Sequence, residues 1–468
     1  MQEDTAIIIM AAGKGKRMKS SLPKVLHEIM GRTLLEHILL TAFSLNPAKI
    51  LVIIGHKAEL VKDTIKKRMP ENIYKKIEWI EQKEQFGTGH AVKQCTPLLK
   101  NFNGSTIILS GDVPLLSQET LNSLLKYHLK EKTVATILTT HLDNPFGYGR
   151  ILRTDSGQVV GIVEEKDAMA EEKHIKEINT GTYCFEWKEL SKILPSLKND
   201  NAQEEFYLTD VIHILNKGGK SISAYNSSDS LESVGISDRK DLAYLIGIVQ
   251  KRINSYWMEQ GITIIDPSVV FIDYDVIIGK DTIIYPFTII SGKTRIGENC
   301  LLGPSTQLIN ATIGNEVTIK FSLINNSTIL SYTEVGPFAH LREGTNIGDH
   351  CRVGNFVEIK NSKLHSNVKS AHLTYLGDSE LGCYTNIGAG TITCNYDGFK
   401  KHKTTIGERV FVGSNSTLIA PVTLSDDTYI AAGSVITRDV PKGSLAVARE
   451  RQQNKEGWVE YRKKKQNK

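Results

Sequence analysis

Two groups of residues in this 468-residue chain have types and spacing suited to phosphate chemistry. The first follows the apolar run Ile7–Met10 and reads Ala11-Ala12-Gly13-Lys14-Gly15-Lys16-Arg17-Met18, with Pro23-Lys24 just beyond. A glycine-rich turn at a strand end lets backbone amides approach phosphate oxygens, and Arg17 and Lys24 add charge. The third glycine of a dinucleotide fingerprint is missing, and Gly15-Lys16 is followed by arginine, so this is not a Walker loop either. A second strand-like run ends in Ser110-Gly111-Asp112-Val113-Pro114. Two readings of Asp112 stand: a carboxylate that binds Mg²⁺ facing the phosphates, or a turn-former ahead of proline.

The second group lies between Arg342 and Arg449. Arg342, Lys360, Tyr375, Asn386 and Lys401 make a polar, cationic set suited to a sugar phosphate. His372 has a carboxylate, Glu358, 14 residues before it. A carboxylate that fixes the tautomer and supports the imidazolium suits a general base. A lone histidine on a β surface is more often structural, so this assignment rests on its company.

The elements that must hold these residues change character near residue 240. Before it, strand-like runs (Ile7–Met10, Lys49–Ile54, Thr106–Leu109, Thr133–Leu138) alternate with helical spacing at Thr33–Leu45 and Leu116–Lys130. That alternation predicts a Rossmann-like α/β domain over 1–238, its mostly parallel sheet binding ligands at the strand ends. Leu242, Leu245, Ile246, Val249, Ile253 and Tyr256 predict one amphipathic helix, a linking arm over 239–260 closed by Gly261. From about Ile262 a period of six takes over. It runs Ile278, Ile284, Ile290, Ile296, Leu302, Leu308, then Val335, Leu341, Ile347, Val353, Ile359, then Ile406, Val412, Leu418, Leu424, Ile430, Ile436. Often a glycine follows, as at Gly279, Gly297, Gly303 and Gly348. Three runs holding phase demand a repeating coil, a parallel β-helix of hexapeptide repeats over 261–468. The polar, basic stretch Cys394–Thr405 breaks the phase and should project as a loop, where function concentrates.

Composition narrows the function classes. Hydrophobic content of 40% and charged content of 23% exclude a disordered or fibrous chain. The net charge of +5 equals the five cations of the terminal YRKKKQNK, so the body has no bias toward polyanions and nucleic acid is not an expected partner. Six cysteines without C-x-x-C pairing read as reduced thiols of a cytoplasmic protein, with neither a zinc site nor a disulfide frame. No run approaches the ~18 apolar residues of a membrane span.

The phosphate loop with Lys24, Phe86-Gly87-Thr88-Gly89-His90-Ala91, Gly111-Asp112-Val113-Pro114, Gly147-Tyr148-Gly149-Arg150, Val163-Glu164-Glu165-Lys166-Asp167, Glu177-Ile178-Asn179-Thr180-Gly181 and Tyr207-Leu208-Thr209-Asp210 resemble the sugar-nucleotidyltransferases. With the hexapeptide half in the same order, the whole chain resembles the bacterial bifunctional family that makes UDP-N-acetylglucosamine for cell-wall peptidoglycan and lipopolysaccharide. The resemblance implies a left-handed β-helix and two activities. In the first half, Ala11, Ala12, Gly13, Gln82, Gly87 and Thr88 would hold the uracil nucleotide, with Ser110 and Gly111 beside them. Arg17 and Lys24 would face the triphosphate. Gly149, Glu164 and Asn179 would grip N-acetylglucosamine 1-phosphate, and Asp112 and Ser237 would bind Mg²⁺. In the second half, His372 would deprotonate glucosamine 1-phosphate for acetyl transfer from acetyl-CoA, oriented by Glu358. Arg342, Lys360, Tyr375, Asn386 and Lys401 would bind the sugar phosphate. Ala389, Asn395, Tyr396, Ser414, Ala432 and Arg449 would line the CoA groove. A homotrimer is implied too, with no membrane partner.

Three departures from the family's pattern stand out. Ser110 replaces a tyrosine, Glu343 replaces a proline after Arg342, and Ser237 stands where the family has an asparagine metal ligand. For the last, Asp238 or a water could take over coordination; equally, Ser237 or Asp238 could cap the arm helix. Two further readings remain at this level: a single-activity nucleotidyltransferase whose β-helix serves assembly or regulation, and a non-enzymatic scaffold. The residues around His372 and the Lys24/Asp112 pair are what discriminate them.

Overall fold

The computed structural model describes residues 4–466. Two compact units divide at Gly247/Ile248, inside the helix Arg239–Glu259.

The first unit is built on a nine-stranded sheet. Its strands are β1 (Thr5–Met10), β2 (Lys49–Ile54), β3 (Ile77–Glu81), β4 (Ser105–Ser110), β5 (Ala135–His141), β6 (Gly149–Arg153), β7 (Val159–Val163), β8 (Glu177–Glu186) and β9 (Ile222–Asn226). The main path runs β9-β5-β8-β4-β1-β2-β3, and the β6/β7 pair joins through β8. β1 is parallel to both neighbours, with Ile8 level with Leu51 and Ile108. Its residues split by parity. Ala6 and Ile8 enter one core with Phe185 and Trp187, while Ile7 and Ile9 enter a second with Leu35 and Ile38. Cover on both faces is why the strand reads as an unbroken apolar run. The sheet is less parallel than the sequence implies, because β8 runs antiparallel to β4, β5 and β6, and β6 to β7. Period-two apolarity carries no direction, and β8 begins within a stretch whose polar residues masked it.

In the second unit, three sheets of eleven, ten and nine short parallel strands form the faces of a left-handed parallel β-helix. The period-six residues are its interior: Ile284, Ile290, Leu302, Leu341, Ile359, Val412 and Leu424 are fully buried. Gly279 turns a corner, where a Cβ would lie 2.5 Å from the backbone of Gly297 one coil on. Coil length slips by a residue or two: Gln307 pairs with Leu323, but Glu334 pairs with Arg352. The pairing of Ser379 with Thr404 leaves the intervening loop outside the prism. Among the described residues no helix is long and apolar enough to cross a membrane.

Candidate active sites

The C-terminal ends of β1, β3 and β4 open into a cavity of about 570 Å³. Ala11, Ala12 and Gly13 leave β1 along its wall; Gln82, Gly87, Thr88, Ser110 and Asp112 line it as well. Gly15 is left-handed at φ 58°, and a Cβ there would stand 2.7 Å from Lys24 Cβ, so glycine lets the loop pass the lysine stem. Lys24 Nζ forms an ion pair with Asp112 Oδ2, and the Ser110 hydroxyl donates to Asp112 Oδ1 at 2.6 Å. Burial alone would raise the Asp112 pKa, but the Lys24 charge and the two hydrogen bonds hold it below the ordinary carboxylate value.

The sequence assigns Arg17 to the triphosphate. In the structure Arg17 is exposed and outside the cavity wall, its charge bearing on Asp238, while Lys14 and Lys16 line the cavity. Sequence reasoning also missed Gln85, Lys166, Gln203 and Glu205 in that wall. Gln85 donates to Ala12 O at 2.5 Å and Lys166 to Gln203 at 2.9 Å. Lys166 and its motif were visible in the sequence, whereas Gln203 and Glu205 sit in a polar stretch with no period.

Gly149, Glu164 and Asn179 come together. Gly149 pairs with Asn179 across β6 and β8, and a Cβ on Gly149 would lie 3.5 Å from both Asn179 Cβ and Glu164 Oε2. Burial pushes the Glu164 pKa up, partly offset by the Thr209 hydroxyl that donates to it at 3.1 Å. Asn179 Nδ2 donates to the buried Tyr183 hydroxyl at 2.7 Å.

The two residues at the arm's start divide their work. Asp238 Oδ1 accepts from the N–H groups of Lys240 (2.7 Å) and Asp241 (3.1 Å), while Asp241 Oδ2 accepts from the N–H groups of Ser237 (2.7 Å) and Asp238 (3.2 Å). This reciprocal cap commits Asp238 to the helix. The Ser237 hydroxyl makes no such bond, and Ile236 N–H donates to Asp112 O at 2.9 Å, tying the segment to the Asp112 backbone.

On the β-helix, Arg342, Glu358, Lys360 and Tyr375 share the ten-stranded face, with His340, Glu358 and Tyr375 in one file and Arg342 beside Lys360. The Tyr375 ring lies over Gly377, where a Cβ would meet its hydroxyl at 2.5 Å. Lys401 reaches this face from the projecting loop, and its ammonium beside Lys360 lowers the Lys360 pKa, with Arg342 adding to the effect. Three cations converge here with two carboxylates nearby. Asp378 bears on Lys360, and Glu358 accepts from Arg342 Nη1 at 2.7 Å. The expectation that Glu358 orients His372 is therefore not met in the isolated chain: the His372 ring is exposed and makes no hydrogen bond among the described residues. The stronger donor, a guanidinium one coil away, takes the carboxylate.

His372 stands instead at the corner between the eleven- and ten-stranded faces. Asn355 pairs with it from one side; Ala389, Ser414 and Ala432 follow at the equivalent corner of successive coils, and Arg449 Cδ packs against Gly433. Asn386 lies on the eleven-stranded face. Asn395 and Tyr396 lie at a different corner, between the ten- and nine-stranded faces. There the Asn395 amide donates to Asp378, and Tyr396 bridges to Lys401. A single chain therefore does not gather the six CoA residues in one groove.

Comparisons agree with this division. Residues 6–262 match the family model "Nucleotidyl transferase", 275–310 match "Bacterial transferase hexapeptide (six repeats)", and 403–438 match "Hexapeptide repeat of succinyl-transferase". Relatives described as "Bifunctional protein GlmU" are similar end to end. One from Streptococcus agalactiae serotype V is 47% identical over 97% of both chains. One from Gloeothece citriformis is 49% identical over 97% of this chain and 98% of its own. One from Shouchella clausii is 46% identical over the same shares.

Proposed function

The chain belongs to the nucleotidyl transferase family and, within it, to the bifunctional GlmU enzymes, and on that premise we propose that it acetylates glucosamine 1-phosphate from acetyl-CoA and then joins the N-acetylglucosamine 1-phosphate to UMP from UTP. The arrangement that carries the reading is the pairing, in one chain, of the Lys24–Asp112 cavity with the Arg342/Lys360/Lys401 cluster.

In the acetyl-transfer half, the three cations hold the sugar phosphate and Tyr375 closes beside it. His372 takes a proton from the sugar's amine as its nitrogen attacks the thioester carbonyl, and CoA leaves as the thiol. A phosphate that pairs with Arg342 releases Glu358 to support the His372 imidazolium. Because the CoA residues sit at two corners of one prism, the site is completed by a second copy, which supports a homotrimer. In the uridylyl-transfer half, the sugar phosphate's oxygen attacks the α-phosphorus of UTP and pyrophosphate leaves. Lys24 gives up Asp112 for the triphosphate, and Lys14 and Lys16 add charge around it. Gly149, Glu164 and Asn179 orient the sugar.

The donor set suits Mg²⁺. No group of three or more His, Cys, Asp or Glu able to hold a metal occurs among the described residues, and Mg²⁺ commonly takes one or two protein ligands with phosphates and water. Asp112 and the free Ser237 hydroxyl would hold it, and it would supply charge neutralisation on the phosphates. A cytoplasmic location fits the free thiols of Cys95, Cys300, Cys351, Cys383 and Cys394.

The test supplies glucosamine 1-phosphate, acetyl-CoA, UTP and Mg²⁺. CoA release should precede pyrophosphate release. His372→Ala should lose the first yet still release pyrophosphate from supplied N-acetylglucosamine 1-phosphate; loss of neither release would overturn the assignment of His372.

A further inference from the structure

We propose that His90 is a positioning residue for base selection: it locks the Gln82 amide with its carbonyl oxygen turned to the cavity, so that a pyrimidine with an N3–H is accepted and one with a bare N3 lone pair is refused. This rests on the uridylyl-transfer reading.

Gln82 is 4% exposed and lines the nucleotide cavity. Its Nε2 lies 3.2 Å from Gly87 O and 3.0 Å from His90 Nδ1. Across the ring, Gln94 Nε2 lies 3.0 Å from His90 Nε2. A neutral imidazole has one donor and one acceptor, so two amide nitrogens cannot both donate to it while it keeps its own proton. One amide must present oxygen instead. Each amide nitrogen also faces a carbonyl, Gln82 at 3.2 Å from Gly87 O and Gln94 at 3.4 Å from His90 O, and the shorter contact decides for Gln82. The Gly87 carbonyl only accepts, so Gln82 keeps both N–H groups, one for Gly87 and one for Nδ1. His90 then carries its proton on Nε2 and donates it to the turned Gln94 amide. Phe86, edge-on at 5.3 Å between centroids, and Phe206 at 6.4 Å flank the ring. Both Gln82 protons are spent, and Gln82 Oε1 makes no hydrogen bond among the described residues. The cavity is thus offered an acceptor. Uracil N3–H satisfies it, whereas the cytosine N3 lone pair opposes it and leaves it unpaired.

The experiment measures pyrophosphate release from UTP and from CTP, with N-acetylglucosamine 1-phosphate, in the wild-type protein, His90→Leu and His90→Asn. Leucine removes the acceptor, so the UTP:CTP ratio of kcat/KM should fall at least ten-fold, through KM more than kcat. Asparagine restores an oxygen near the Nδ1 position and should recover most of the ratio. A ratio unchanged in His90→Leu, with UTP still used, overturns the proposal and leaves the uridylyl-transfer reading intact; no turnover of UTP by the wild type overturns that reading instead. If His90→Leu does not fold, ¹⁵N spectra of histidine-labelled wild-type protein decide: the Nε2–H tautomer at His90 supports the proposal, and the Nδ1–H tautomer overturns it.

Discussion

Lys24 and Asp112, 88 residues apart in sequence, meet as an ion pair in the wall of the first unit's cavity, and Ser110 holds the second carboxylate oxygen. The carboxylate that would meet a metal is thus fully engaged before any ligand arrives, and the lysine that would meet a triphosphate is the group that must let go. Asp112→Asn keeps the shape but removes the charge. Uridylyl transfer should fall by about 10²–10³-fold, while acetyl transfer in the same sample is unchanged, as read by pyrophosphate and CoA release.

Glu164 carries a burial penalty. Its folded pKa lies above its unfolded one, so the penalty is absent at low pH, builds as pH rises from the ordinary glutamate value through the raised one, and persists above it. Glu164→Gln should therefore raise the unfolding midpoint of the first unit at pH 7, by on the order of 2 °C, with no gain at pH 4. It should also raise KM for the sugar phosphate. Paired melting curves at the two pH values check the sign.

Ser237 and Asp238 should separate cleanly. Ser237→Ala should weaken Mg²⁺ several-fold, measured by calorimetry in the presence of UTP, with stability unchanged. Asp238→Ala should leave Mg²⁺ affinity alone and lower the unfolding midpoint, as the loss of an N-cap does.

Two of the residues proposed for acetyl transfer, His372 and Tyr396, lie at different corners of the prism. A preparation of His372→Ala and one of Tyr396→Ala should each lose most acetyl transfer. Unfolded and refolded together, they should regain a measurable fraction, because mixed assemblies contain sites with both residues intact. Activity no greater than the sum of the parents would overturn the shared site. Glu358→Gln should lower kcat by about ten- to a hundred-fold with little loss of stability, since its pair with Arg342 is about 40% exposed on each side.

Much of this was legible in the sequence. Phase-six aliphatics announce the β-helix because most interior positions are filled by an aliphatic side chain, so each coil repeats the preference; Ser370 and Thr393 are buried exceptions, level with Val353 and Leu418. Strand-end glycines and Asp112 mark the cavity at the ends of β1, β3 and β4, because a tight turn past the Lys24 stem restricts the residue type at Gly15. What the sequence hid depends on partner choice. The run around Glu177 gives no hint that β8 is antiparallel, because alternation has no direction. The distance from Glu358 to His372 along the chain suggested a dyad, yet Arg342 competes for the same carboxylate from the preceding coil. Lys14 and Lys16 could not be ranked against Arg17 without the turn at Gly15, which decides which side chains face inward.

The coils between Ile262 and Leu341 carry none of the residues assigned to acetyl transfer. In a solenoid each coil touches only its neighbours. Removing or duplicating one of these lower rungs would slide the whole constellation from Arg342 to Arg449 along the axis without altering its internal arrangement. The lower prism is a graduated rail, and the height of a reaction on it can be reset by whole notches while the chemistry is left alone.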